Sequence, residues 1–172
     1  MIDFFSKTDL SRNDAEKIIS ETLNNCDDGE LYLENSKSES IVLDDDKIKS
    51  STYSSDLGYG LRAVTGEVVA YSHSNEISKD SLKQSANNLS STLKSQKGVY
   101  NHEIPKTNEK FYKDINPIEE KSLQSKLELL KEVNNYTRAK GGIVQQVTAS
   151  FSGEHKSIEI IRSGGEVLTD VR

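Results

Sequence analysis

The spacing of apolar residues along the chain predicts the order of its helices and strands. Apolar residues that recur every three to four positions are typical of a helix with one buried face, whereas alternation is typical of a half-buried strand. Helical spacing occurs from Ser11 to Cys26, from Ser78 to Leu93 and from Asn116 to about Ala139. Ser11 and Asn116 are typical N-cap residues, and Pro117 follows Asn116 at the first helical position.

Short runs rich in β-branched and aromatic residues predict about eight strands between and after these helices. The strands are Glu30–Glu34, Glu39–Leu43, Lys47–Tyr53, the two arms of a hairpin from Gly58 to Tyr71, and then Ile143–Phe151, His155–Ile161 and Glu166–Arg172. The polar stretch from Lys94 to Ile115 has no period and is predicted as a long surface connection, with a lid as one possible role. We therefore expect an α+β fold, with a mostly antiparallel twisted sheet of about eight strands packed by about three helices.

Composition narrows the partners that the chain could have. Only 33% of its 172 residues are hydrophobic, so the core is expected to be modest. The net charge of −6 and the pI of about 5.2 argue against nucleic acid as the main partner. The N-terminus lacks the features of a signal peptide, and no apolar run approaches the ~18 residues of a membrane span. We therefore expect a cytoplasmic chain with no membrane partner.

A glycine-rich segment near the middle of the chain is its most distinctive feature. Gly58, Gly60 and Ala63 fit the dinucleotide-binding pattern G-x-G-x-x-A, but that pattern needs a helix directly after the glycines. Here a turn at Thr65–Glu67 and a second apolar run follow, which predicts a hairpin. We therefore interpret Gly58, Gly60, Arg62 and Gly66 as a structural motif.

Two residues of this motif support specific expectations. Gly58 and Gly60 lie on one face of a strand, where a neighbouring group can approach closely, so Gly60→Val should destabilise the fold by overpacking. Arg62 interrupts an apolar strand, and a structural ion pair with a carboxylate is favoured over a role in substrate binding.

The three histidines do not form a recognisable metal-binding pattern. His102 and Glu103 begin like a helical zinc motif, but the second histidine is missing and Pro105 would break the helix. His102 is therefore expected in a surface loop. His73 is predicted as a turn or cap residue, and His155 as an exposed residue at a strand start.

Cys26 and Asp44–Asp46 are of residue types that can act in catalysis or bind metal ions, but structural roles are favoured for both. Cys26 has no neighbouring group that would lower its pKa and is expected to be a packed thiol. The adjacent residues Asp44–Asp46 lack the alternate spacing of a calcium loop and are expected to form a solvated turn. The chain is thus predicted to contain no catalytic and no metal-binding residue.

Several segments together resemble the TldD/PmbA family. The central segment is similar to the family's G-x-G-x-R-x-x-x-G pattern, and the segments near the C-terminus look like the TldD branch in particular. The segments that carry the resemblance are Asp27–Leu33, Ser38–Asp45, Gly58–Glu67, Ile77–Ser78, Val147–Gly153 and Thr169–Arg172.

The resemblance implies a role within a larger enzyme. TldD-like proteins are cytoplasmic zinc metallopeptidases that work with a PmbA/TldE-type subunit and process peptides or unstructured chains. Their H-E-x-x-x-H motif lies beyond the region of similarity, and no position of this chain carries it. Residues 1–172 are therefore expected to be one N-terminal domain of a longer protein that binds zinc elsewhere, inactive alone and serving in assembly or substrate enclosure. The alternatives are a stand-alone peptide-binding module and a non-functional truncated remnant.

Overall fold

The computed structural model describes residues 2–93 and 111–172. The predicted connection from Lys94 to Ile115 falls mostly outside these residues, and His102 lies outside them as well. The described elements are α1 (Arg12–Leu23), β1 (Asp28–Asp44), β2 (Lys47–Thr65), β3 (Val68–Ser74), α2 (Lys79–Leu93), α3 (Pro117–Glu120), α4 (Leu123–Arg138), β4 (Thr148–Arg162) and β5 (Val167–Val171).

The strands form a sheet in the order β3-β2-β1-β4-β5. Strands β2 and β3 are antiparallel, with Arg62 opposite Tyr71. Strands β4 and β5 are also antiparallel, with Ile160 opposite Leu168. These observations confirm the predicted α+β class and the antiparallel sheet.

The predicted number of strands is wrong, because six of the predicted short strands are halves of three long ones. Strands β1, β2 and β4 contain 17, 19 and 15 residues. In β1 the polar residue Asn35 is buried and continues the alternation of Leu31 and Leu33, so the strand does not end there. In β4 the predicted turn at Ser152–Gly153 is likewise part of the strand. Polar composition suggested turns, but neither segment adopts turn geometry.

The predicted helix from Asn116 to Ala139 is two helices. Asn116 caps α3 as expected, since its side chain accepts a hydrogen bond from the Ile118 amide at 3.0 Å. The backbone of Lys121 is extended, however, with φ −116° and ψ 139°. Ser122 then caps α4 by accepting from the Ser125 amide at 3.2 Å. A second capping residue inside the segment thus ends one helix and begins another.

The chain divides into two compact units, which we describe separately. The first unit comprises the described residues of Met1–Asn35, Asp56–Tyr112 and Ser157–Val171. The second comprises Ser36–Ser55, Lys113–Lys156 and Arg172.

The first unit buries one face of its strands beneath α1 and α2. This core is mainly aliphatic and includes Leu10, Ile19, Leu31, Leu33, Leu61, Leu82, Leu89 and Ile161. Glu159 of β4 lies in the same interior and is 2% exposed. Its two carboxylate oxygens accept hydrogen bonds from the guanidinium of Arg12 at 2.5 and 2.9 Å. This bidentate contact compensates the burial of the Glu159 charge.

The second unit has a smaller core. Ile41 and Leu43 of β1 pack with Leu130 of α4 and Ala149 of β4. Lys126 is buried beside them, and its ammonium group contacts the carboxylate of Glu39 and the carbonyl oxygen of Ile118.

The turn between β1 and β2 contains two residues with left-handed backbone. Asp45 has φ 48° and Asp46 has φ 65°. A two-residue hairpin turn of this kind favours glycine at its second position. We expect Asp46→Gly to raise the free energy of unfolding by roughly 0.5–1 kcal/mol, because the relief of strain exceeds the entropy cost of glycine. Urea denaturation checks this, with Asp46→Ala as the control that should lose stability.

Candidate functional site

One face of the sheet in the first unit is not covered by α1 or α2. Successive side chains of a strand point to opposite faces, and Leu31, Leu33, Leu61 and Ala63 belong to the core under the helices. The alternate residues of β1 and β2 therefore lie on the opposite face, which we call the open face. They are Asp28, Glu30, Tyr32 and Glu34 on β1, and Gly58, Gly60 and Arg62 on β2.

The pairing of β2 with β3 adds two aromatic residues to the open face. His73 lies opposite Gly60, and Tyr71 lies opposite Arg62. Directly opposed residues of paired strands share a face. The rings of Tyr71 and His73 stack, with their centroids 5.8 Å apart and their planes at 26°.

A groove of about 230 Å³ lies on this face over the glycines of β2. We call it the glycine groove. It is lined by Tyr32, Glu34, Asp56, Leu57, Gly58, Tyr59, Gly60, Tyr71, His73, Ser74 and Asn75. Because β2 runs between β1 and β3, Tyr32 and Glu34 lie on one side of the groove, and Tyr71 and His73 on the other.

Close contacts explain the two glycines beneath the groove. A Cβ atom at Gly58 would lie 2.8 Å from the carbonyl oxygen of Ser74. A Cβ atom at Gly60 would lie 2.6 Å from the hydroxyl oxygen of Tyr71. The first neighbour is backbone, whereas the second is the end of a side chain that is 64% exposed. Glycine at position 58 is therefore the stricter requirement.

The groove has acidic and aromatic character. The hydroxyl of Tyr32 donates a hydrogen bond to the carboxylate of Glu34 at 2.5 Å. Asp56 contributes a second carboxylate to the lining. Sequence reasoning missed Tyr32, Glu34 and Tyr71. The turn at Gly66 marks the start of the next strand, and every second residue of a strand points to the same face. This alternation would have placed Tyr71 and His73 on one face.

Arg62 lies beside the groove and joins β2 to β1. Its guanidinium donates to the carboxylate of Asp28 at 2.5 Å and to that of Glu30 at 3.1 Å. Burial opposes the charged form, but the two carboxylates raise the pKa of Arg62 above its ordinary value. The positive charge of Arg62 is thus balanced by these two neighbouring carboxylates.

Gly66 lies apart from the groove, in the turn between β2 and β3. Its φ of 59° favours glycine. Its amide donates a hydrogen bond to the carboxylate of Asp27 at 2.6 Å. The four motif residues therefore have separate local roles: two lie under the groove, one makes an ion pair and one forms a turn.

The histidines differ from their predicted positions. His73 was predicted in a turn or cap but lies within β3. His155 was predicted to be exposed, but it is 8% exposed and lies inside β4. The reason is that β4 continues through Ser152–Gly153, which places His155 in mid-strand. The His155 Nε2 atom has no hydrogen-bond partner among the described residues.

The remaining reactive groups have structural contacts. Cys26 packs against the core of the first unit. In the second unit, Asp44 accepts hydrogen bonds from Gln146 and Thr148 at 2.8 and 2.9 Å. These two hydrogen bonds lower the pKa of the Asp44 carboxyl below its ordinary value, and the bond from Gln146 has the larger effect.

Within residues 2–93 and 111–172, no three His, Cys, Asp or Glu side chains are grouped so that they could hold a metal ion. A catalytic zinc takes about three protein ligands, so these residues do not fit one. In the same part of the chain, no helix is both long enough and apolar enough to cross a membrane.

Comparison with known proteins identifies the family. Residues 29–92 match the model of the PmbA/TldA metallopeptidase domain 1, and this segment includes the glycine groove and Arg62. A metalloprotease TldD homolog of Buchnera aphidicola from Acyrthosiphon pisum is 34% identical over 85% of the chain. The TldD homolog of Haemophilus influenzae is 32% identical over 86% of the chain. The chain spans 30% and 31% of these two relatives.

Solved structures share the fold. A candidate modulator of DNA gyrase from Bacteroides thetaiotaomicron has a TM-score of 0.67 at 18% identity, covering 91% of this chain and 37% of its own. TldE from Thermococcus kodakarensis has a TM-score of 0.62 at 12% identity, covering 92% of this chain and 36% of its own. With the sequence matches, these similarities lead to one conclusion: the chain belongs to the TldD/PmbA family of metallopeptidases and contains that family's first domain.

Proposed function

We propose that the chain is the non-catalytic N-terminal domain of a TldD-type zinc metallopeptidase that cleaves peptides or unstructured chains in the cytoplasm. The observation that carries this proposal is the 34% identity to a metalloprotease TldD homolog over 85% of the chain. The domain would serve in assembly with a PmbA/TldE-type subunit or in enclosing the substrate.

The distribution of metal-binding side chains supports a non-catalytic role. The described residues do not bring three potential ligands together. The family zinc would therefore be held by residues outside the matched segment, in the remaining part of a full-length protein. The open face is a surface of the first unit that such a part, or a partner subunit, could cover.

The test compares the 172-residue chain with a chimera that joins it to the remaining two thirds of a TldD relative. We expect the chain alone to contain no stoichiometric zinc and to cleave no unstructured peptide. The chimera should bind about one zinc ion, as a single catalytic site requires, and should show chelator-sensitive cleavage. Elemental analysis and a fluorescent peptide assay measure the two properties.

A histidine variant provides the control for this experiment. His102→Ala in the chimera should leave cleavage nearly unchanged, because the sequence predicts His102 in a surface loop before Pro105, away from the metal. One equivalent of zinc on the 172-residue chain, or chelator-sensitive cleavage by it, would overturn the proposal and direct attention to His102 and Glu103.

A stand-alone peptide-binding module is the second candidate, and one observation favours it. Strand β3 pairs with β2 only from Tyr59 to Thr65, and the preceding residues Lys47–Leu57 are exposed. An exposed strand edge can accept an extended peptide as an additional strand. Micromolar binding of unstructured peptides by the chain alone, with an inactive chimera, would favour this candidate. If the chain bound no peptide and the chimera cleaved none, the result would match a non-functional remnant.

A further inference from the structure

The size of the glycine groove indicates what it can hold. Its volume of about 230 Å³ is below the roughly 300–1,000 Å³ typical of sites for small-molecule ligands. A groove of this size fits one side chain better than a whole cofactor. It is also open along the sheet face, so a side chain can enter while its backbone stays outside.

The charge of the groove indicates the sign of its ligand. Glu34 and Asp56 contribute carboxylates, and the lining residues include no Lys or Arg. Arg62, which lies beside the groove on β2, makes ion pairs with Asp28 and Glu30. The Tyr32 hydroxyl is one partner of Glu34, and a carboxylate can accept further hydrogen bonds. The groove is therefore complementary to a positive charge.

The aromatic residues indicate the geometry of the positively charged group that the groove can bind. Tyr71 is 64% exposed, so its ring is accessible on the side of the groove opposite Tyr32 and Glu34. The ring also stacks on His73. A planar guanidinium stacks on aromatic rings and also donates two parallel hydrogen bonds to a carboxylate, whereas an ammonium group does neither as well.

We infer that the glycine groove binds an arginine side chain presented by another polypeptide. The guanidinium stacks on Tyr71 and donates hydrogen bonds to Glu34. Gly58 and Gly60 contribute no side chain to the groove, and the absence of a side chain at position 60 allows the hydroxyl end of Tyr71 to lie against β2. This inference goes beyond the proposed function and does not depend on it, since the chain alone is sufficient for the test.

The experiment is an NMR titration of the 172-residue chain with a capped Gly-Arg-Gly peptide. The matched control peptide carries citrulline, which has nearly the same shape as arginine but no charge. We expect the arginine peptide to shift the ring signals of Tyr32, Tyr71 and His73 at millimolar concentrations, and the citrulline peptide to cause no comparable shift. A lysine peptide should bind several-fold more weakly.

Three variants assign the contacts. Glu34→Gln should weaken binding about tenfold or more, because it removes a charge-assisted hydrogen bond. Tyr71→Leu should weaken it about two- to fivefold through loss of the cation–π contact. Glu21→Gln, on the exposed surface of α1, should have no effect. Circular dichroism melts establish that each variant is folded.

Three results would each overturn the inference. The citrulline peptide could bind as tightly as the arginine peptide, a folded Glu34→Gln variant could bind the arginine peptide as tightly as the wild type does, or the shifted signals could all come from residues outside the groove. Equal binding of the lysine peptide would overturn the choice of arginine, because stacking of a planar cation would then contribute nothing.

Discussion

Replacing Arg12 by alanine is expected to lower the free energy of unfolding by about 3 kcal/mol, at the lower end of values for breaking a buried ion pair. The reason is that Glu159 is 2% exposed and would lose both guanidinium hydrogen bonds. We expect the lower end because the Arg12 side chain is itself 40% exposed. The hydrogen bond to Glu159 is also the main reason why the pKa of Arg12 is raised. Urea denaturation measures the loss.

Two controls separate the lost ion pair from lost packing. The double variant Arg12→Met with Glu159→Leu should recover most of the stability, because it leaves no buried charge without a partner. Lys17→Ala removes an exposed pair with Glu21 on the same helix and should have almost no effect. If Arg12→Ala had the same free energy of unfolding as the wild type, the ion pair between Arg12 and Glu159 would not contribute to stability.

Gly58→Ala is expected to destabilise the chain by about 2 kcal/mol, through overpacking. The new methyl group would lie 2.8 Å from the carbonyl oxygen of Ser74, so paired backbone would have to move. Gly60→Ala should cost less, about 1 kcal/mol or below, because the nearest atom belongs to the exposed end of Tyr71 and can swing away. Thermal denaturation followed by circular dichroism compares the two variants.

Gly141→Ala is the matched control, because a Cβ atom there would meet nothing within 4 Å. Its melting temperature should stay at or slightly above that of the wild type. Equal losses at positions 58 and 60 would contradict this account, since they would mean that Tyr71 is held as firmly as the backbone. The sequence pattern predicted this effect at Gly60, whereas the structure assigns the larger effect to Gly58.

Local signals predicted several elements correctly. Ser11 predicted the start of α1, where its hydroxyl both accepts a hydrogen bond from the Asp14 amide and donates one to the Asp14 carboxylate. Gly66 between two apolar runs predicted the hairpin, in which Thr65 pairs with Val68. These signals succeed because a cap or a tight turn is stabilised by residues that are neighbours in sequence.

Strand continuity could not be predicted in the same way. The segments around Asn35 and Ser152 are polar enough to suggest turns, yet each lies inside a long strand. A strand is held by hydrogen bonds to its neighbours in the sheet, so polar residues can continue it wherever a partner strand is present. Strand β1 lies between β2 and β4 in the sheet, and β4 is more than one hundred residues away from it in sequence.

The sequence by itself determined the fold class, the central hairpin and the resemblance to the TldD/PmbA family, because each depends on patterns within continuous segments. Only the tertiary structure decided where the glycine groove lies and which residues line it. Tyr32, Gly60 and Tyr71 come from three strands. Strand register places them on one face, and no local pattern specifies register between strands that distant parts of the chain supply.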